Sequence, residues 1–111
     1  MTLTIKDPGS ALTHFIGMIL AGIAAVPLLA VAASNGSAGV IAAFAVFAAS
    51  MVLLYAASTT YHTFNISEKV NKILRKVDHM MIFILIAGSY TPVCLIPLRD
   101  SIGIPLLILV W

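Results

Sequence analysis

Three stretches free of formal charge, each long enough to cross a bilayer, constrain this chain more than any other feature of its sequence. Ala11 to Ala33 and Ala38 to Tyr61 hold no Asp, Glu, Lys or Arg, and none lies between Asp78 and Arg99. A helix needs about 20 mostly apolar residues to cross a hydrocarbon core of about 30 Å, so the chain is expected to span the membrane at 11–33, 38–61 and 80–98. A further apolar run, 102–111, follows Arg99-Asp100-Ser101 and is too short to cross, so it reads as the start of a fourth span. The expected fold is an all-α, polytopic transmembrane helix bundle in a single membrane domain, of which residues 1–111 form an N-terminal fragment.

Composition closes the soluble alternatives. Hydrophobic residues make up 61% of the chain and charged residues 9%, where ordinary soluble domains are about 45–50% apolar. A water-soluble fold would lack polar residues to cover its surface. Lys69, Lys72, Arg75 and Lys76 are gathered in one short segment, 65–77, which speaks for membrane orientation and against a nucleic-acid partner. The single cysteine, Cys94, excludes an internal disulfide and any CxxC site.

The same basic segment sets an expected topology. It lies between the second and third spans, whereas the turn Ser34-Asn35-Gly36-Ser37 carries no cation, so the positive-inside bias places it in the cytoplasm with the N-terminus. Arg99-Asp100 then falls on the outer side. A secretory signal competes for the first span, because Lys6 precedes it and Ala30-Val31-Ala32 resembles a cleavage site. Its apolar run exceeds the roughly 7–15 residues of a signal core, which favours a retained helix.

Within 65–77, Ile66, Val70, Ile73, Leu74 and Val77 recur at helical spacing while the cations take the other faces. The pattern fits a short interfacial helix, opened by an Asn65–Glu68 capping box, whose basic face would attract anionic lipid headgroups. A plain solvated linker is the blander reading. Gly39, Ala42, Ala43, Ala45, Ala48, Ala49, Ala56 and Ala57 make the second span the expected central helix, since small residues let helices approach where lipid provides no hydrophobic drive. Pro27 in the first span, and Pro92 and Pro97 in the third, imply bends whose freed carbonyls need other partners.

The few ionisable groups near the membrane gather at one end: His14 opens the first span, His62 closes the second, and Asp78 and His79 open the third. Ser58 and His62, four residues apart, share a helix face, so the hydroxyl can approach whatever the imidazole binds. Neutral imidazole is the commonest metal ligand, and Asp78 is a candidate for a supporting or base role beside it. Each residue also has a duller explanation. Asp78 can cap the third span at its positive dipole end. His14, Tyr61 and His62 can be headgroup anchors, His79 an interfacial residue, and Ser50 and Ser89 helix–helix or backbone hydrogen-bonding groups.

Taken together, Ala57-Ser58-Thr59-Thr60-Tyr61-His62, then Asp78-His79, then Ile86-Ala87-Gly88-Ser89-Tyr90-Thr91-Pro92 resemble the haemolysin III family. That family is the bacterial branch of the progestin and adiponectin receptor superfamily and is distantly similar to the alkaline ceramidases. The likeness runs from about Asp7 to Trp111 and implies a seven-helix bundle in the bacterial plasma membrane, with a zinc ion near the cytoplasmic side. Under the resemblance His62 is the zinc ligand from the second span, Ser58 a hydroxyl partner, and Asp78 a carboxylate that holds the metal's water. Two further ligands would come from a His-x-x-x-His in the remaining C-terminal helices. The family's acidic-x-x-Asn-x-x-x-His element is present as Asp7-x-x-Ser10-x-x-x-His14, with Ser10 replacing Asn and His14 a possible site-lining residue.

The function that the resemblance implies is a zinc-dependent hydrolase of a lipid-like amide in contact with membrane lipids. Two alternatives belong to other classes: a pore-forming haemolysin, and a non-catalytic membrane sensor or homeostasis protein that keeps zinc structurally.

Overall fold

The computed structural model describes residues 5–111. It consists of four helices in chain order: α1 (Pro8–Asn35), α2 (Ala38–Thr63), α3 (Glu68–Leu95) and α4 (Gly103–Val110). The first three are long and apolar enough to cross a membrane, and no strand occurs among the described residues. The fold is therefore the all-helical, multi-pass architecture expected from the charge-free stretches.

α2 is the central helix. It packs along α1 on one side and α3 on the other, α4 packs on α3, and the backbones of α1 and α3 do not approach each other closely among the described residues. The helices thus stand in a single row, and the molecule is only 18 Å thick in its shortest dimension. That is less than two helix diameters of about 10–12 Å, so the row is one helix deep and both broad faces stay open. They expose large apolar side chains, including Leu20, Ile23, Val26, Phe83 and Ile108. Such surfaces suit lipid, which satisfies them without burial in protein.

Small residues make the contacts between helices. A Cβ built on Gly88 of α3 would overlap Ser50 Oγ of α2, and one built on Gly17 of α1 would come within 2.8 Å of the Tyr55 ring on α2. Ser50 of α2 and Ala87, Gly88 and Thr91 of α3 are accordingly buried. At the far end, Gly103 of α4 lies against the backbone carbonyls of Cys94 and Leu98, and Gly103 N–H donates to Leu98 O at 2.7 Å. Trp111 Nε1 then donates to Thr91 Oγ1 at 3.0 Å, tying the end of α4 back to α3.

Three local features differ from the sequence-based expectation. The basic segment and the third span form one continuous helix, so 65–77 does not fold as a separate interfacial element. No Gly or Pro separates Val77 from Met80, and the apolar spacing of Val70, Leu74 and Val77 continues into the span. The N-cap of α3 is Ser67, not Asn65: Ser67 Oγ accepts from Val70 N–H at 3.2 Å. Asn65 is engaged elsewhere, its Oδ1 accepting from Asn71 Nδ2 at 2.9 Å. Pro27 and Pro92 lie inside helices as expected, but α3 ends at Leu95, leaving Pro97 in the following turn. Near Pro92 the side chains assist the backbone, Thr91 Oγ1 donating to Ala87 O and Ser89 Oγ to Ile86 O, each at 2.8 Å.

Candidate functional site

The antiparallel course of α1, α2 and α3 brings the start of α1, the end of α2 and the first third of α3 to one end of the row. There His14, Leu54, Tyr55, Ser58, His62, Asp78 and Ile82 line one cavity of about 370 Å³. All four residues singled out from the sequence, His14, Ser58, His62 and Asp78, therefore share a single space. Ser58 and His62 project from one face of α2, as their four-residue spacing requires. Asp78 is reached because the face of α3 carrying Val70, Leu74 and Val77 turns toward α2.

The two imidazoles lie side by side. The His14 and His62 rings stack with centroids 5.5 Å apart and planes at 19°. His14 Nδ1 is 2.6 Å from Ser10 O, one turn back on α1, so its ring is held by a backbone carbonyl. The serine at position 10 contributes main chain to that contact, and the contact does not depend on its side chain. His79 does not line the cavity: it is exposed, and its Nδ1 lies 2.8 Å from Arg75 O.

Asp78 is the chemically conspicuous member. It is 9% exposed, yet among the described residues no donor hydrogen-bonds its carboxylate, and the nearest cationic candidate is His79 Nδ1 at 3.8 Å. It sits eleven residues into α3, well past the first turn, so the helix-capping explanation does not apply. A buried carboxylate without donors is costly unless a cation, a proton or water balances it. Ser58 is 5% exposed, and its hydroxyl likewise has no protein partner among the described residues.

One residue in the site was not singled out from the sequence. Asp7 is the N-cap of α1, with Pro8 following at the first helical position, but its side chain makes no capping bond. It reaches across to α2 instead, where Asp7 Oδ2 lies 2.9 Å from His62 Nδ1. The backbone repeats the link: Asp7 N–H donates to His62 O at 2.8 Å and Lys6 N–H to Thr63 O at 3.3 Å, satisfying carbonyls that the end of α2 leaves free. Lys6 Nζ lies 3.6 Å from the centroid of the Tyr61 ring and completes the clasp. The acidic residue was visible in the Asp7-x-x-Ser10-x-x-x-His14 element, but its partner, 55 residues away, was not.

Beside this site the cations of α3 form a second surface. Lys72, Arg75, Lys76 and His79, spaced three and four residues apart, line an open cavity of about 530 Å³.

The donor chemistry near His62 suits a metal such as zinc only in part. An imidazole with Nδ1 engaged by a carboxylate and a second, unpartnered carboxylate nearby are appropriate elements. Among the described residues, however, no three His, Cys, Asp or Glu side chains gather closely enough to hold an ion by themselves. Further ligands would have to come from outside this chain.

Comparison with known proteins bears on the whole chain. The chain is 45% identical over 109 residues to a hemolysin-3 homolog of Bacillus subtilis (strain 168), an alignment covering 97% of the chain and 51% of that protein. It is 42% identical over 112 residues to hemolysin-3 of Bacillus cereus, covering 100% of the chain and again 51% of the relative. The chain thus spans about half the length of these curated relatives. No solved structure matches it. The family model for haemolysin-III-related proteins matches residues 3–111, which include Asp7, the clustered histidines, Ser58, Asp78 and the tightly packed Gly88. Three membrane-spanning helices with their polar groups drawn to one end are thus the form taken here by a member of the haemolysin-III-related family, to which this chain belongs.

Proposed function

We propose that the full-length protein is a zinc-dependent hydrolase of a lipid-like amide, acting at one face of the bacterial plasma membrane with the N-terminus of this chain in the cytoplasm. The observation that carries this reading is the buried, unpartnered Asp78 carboxylate facing the same cavity as the Ser58 hydroxyl and the His62 imidazole. A bundle with a purely structural role gains nothing from a charge in that position.

His62 is the ligand this chain would supply, and two further imidazoles would come from helices beyond it. When bound, zinc would polarise the scissile carbonyl and lower the pKa of water toward about 7. The remaining work falls to side chains described above. Asp78, with no protein donor, is free to accept a proton from a water entering the cavity and to return it to the leaving amine. Ser58, also without a protein partner, can donate its hydroxyl proton toward the oxygen on which charge develops. Leu54 and Ile82, one helical turn further along their helices than Ser58 and Asp78 toward the middle of the bundle, give the cavity an apolar lining suited to an acyl chain. The Lys72, Arg75, Lys76 and His79 surface supports the topology, since it would face the anionic headgroups of the inner leaflet.

The test uses the purified full-length protein: metal analysis, then cleavage of a lipid amide by wild type, His62→Ala and Asp78→Asn. The reading requires zinc in the wild type and a loss of roughly 10²-fold or more in turnover for Asp78→Asn, the usual scale for a lost proton acceptor. Equal turnover in all three proteins would overturn it. A second reading, membrane permeabilisation, rests on the haemolysin names of the Bacillus relatives. Dye release from liposomes tests it directly, and release that persists in Asp78→Asn would favour it over hydrolysis.

A further inference from the structure

We propose that Asp7 is a positioning residue for His62, fixing its ring with the proton on Nδ1 so that Nε2 carries the free lone pair toward the shared cavity.

Three observations converge on this role. Asp is among the best helix-capping residues, and Asp7 stands at the N-cap of α1, yet it makes no capping bond and places its carboxylate 2.9 Å from His62 Nδ1. The same residue's N–H donates to His62 O, so one residue of the α1 entry holds both the backbone and the ring of one residue on α2. Lys6, immediately before it, covers the Tyr61 ring immediately before His62, so the two dipeptides are matched pairwise. A carboxylate accepts but does not donate when ionised, so the neutral imidazole bonded to it must carry its proton on Nδ1. That leaves Nε2 as the acceptor nitrogen. Imidazole ligands are commonly oriented in this way, by a carboxylate on the ring nitrogen that does not face the metal.

His14 has the same ring state from a different source. Its Nδ1 lies against Ser10 O, a main-chain acceptor that no side-chain substitution at position 7 removes. The stacked pair therefore contains its own internal control.

This role rests on the reading of His62 as a ligand only for its consequence toward metal; the ring state itself is measurable without any metal. The chain is prepared with ¹⁵N-labelled histidine in detergent micelles, metal-free, at a pH raised until the ¹⁵N shifts show both rings to be neutral. The ¹⁵N shifts then report the tautomer of each ring. In the wild type, His62 is expected in the Nδ1–H form. In Asp7→Ala it reverts toward the Nε2–H form preferred by free imidazole, while His14 keeps its shifts and shows that the fold is intact. Asp7→Asn retains an acceptor oxygen and is expected to keep much of the wild-type state. An unchanged His62 tautomer in Asp7→Ala, with His14 undisturbed, would overturn the assignment. If Asp7→Ala also perturbs His14, Asp7→Asn decides: a His62 ring already in the Nε2–H form there, with His14 intact, overturns it too.

A second measurement separates the two readings. Chelator competition on the full-length protein is expected to show zinc held roughly 10–100-fold more weakly in Asp7→Ala, the usual scale for loss of such an orienting partner, and less weakened in Asp7→Asn. Unchanged affinity in Asp7→Ala would overturn the positioning role. A wild-type protein that holds no zinc would defeat the hydrolase reading, while the tautomer shift would still establish what Asp7 does to His62.

Discussion

Gly88 and Ser50 touch where α3 crosses α2: a methyl group on Gly88 would overlap Ser50 Oγ and come within 2.8 Å of its Cβ. Ser50 cannot easily yield, since it is 3% exposed and its hydroxyl is committed to Phe47 O at 2.8 Å. Gly88→Ala is therefore expected to push the helices apart and lower stability by about 1–3 kcal/mol, the usual range for overpacking. Adding Ser50→Gly removes the opposing Cβ and should recover part of the loss. Thermal unfolding of both variants and the double variant in micelles checks this as a double-mutant cycle. Additive losses would show that the contact does not carry the packing.

A similar constraint acts at the last turn. Gly103 rests on the carbonyls of Cys94 and Leu98, backbone that cannot rotate aside as a side chain would. Gly103→Ala is expected to lift α4 from α3 and break the Trp111 to Thr91 hydrogen bond. Trp111 is the sole tryptophan, so its emission reads this displacement directly. The spectrum should shift while far-UV circular dichroism stays unchanged. An unaltered emission maximum would mean that α4 adjusts without moving its indole.

Much of this arrangement was legible in the sequence, and the reason is physical. Lipid imposes a length and a lack of charge on every span, so the three crossings stood out, and with a small-residue helix between two bulkier ones the central place of α2 followed. Ser58 and His62 could be paired because four residues is one helical turn. The approach of Asp78 was inferable only as a shared depth, and its burial without a donor needed coordinates. Asp7 was visible as the acidic member of the Asp7-x-x-Ser10-x-x-x-His14 element, but its contact with His62 was not, for two reasons. Its obvious local role, capping α1, masks its actual contact, and no spacing rule links residues 55 positions apart. The fusion of the basic segment with the third span was obscured for the opposite reason, since its change from basic to apolar composition imitates a boundary that the backbone does not make.

The basic surface on α3 gives a prediction about lipid. Lys72, Arg75 and Lys76 share one open cavity with His79. Each cation near an anionic membrane surface contributes about 1 kcal/mol. Replacing all three with Gln should therefore weaken association with phosphatidylserine-type lipid by about 3 kcal/mol at low salt, and by less as salt screens the charges. Native mass spectrometry of the protein released from mixed-lipid nanodiscs would read the change. Equal retention of anionic and zwitterionic lipid by wild type would remove the basis of the prediction.

Asp78 offers the sharpest division between structure and function. Its side chain is 13% exposed and lacks a donor among the described residues. Without a donor on it among the described residues, the carboxylate contributes no hydrogen bond to the packing of these helices. Asp78→Asn keeps the shape and removes the charge. In micelles the substituted chain is accordingly expected to be somewhat more stable than the wild-type chain. If the full-length protein is the hydrolase proposed above, the same substitution should lower its turnover roughly 10²-fold or more. Gain in the one measurement with loss in the other is what a residue retained for chemistry predicts, because stability would favour its removal. A chain destabilised by Asp78→Asn would instead show that the carboxylate makes a bond that holds the helices together, and its catalytic role would lose its main support.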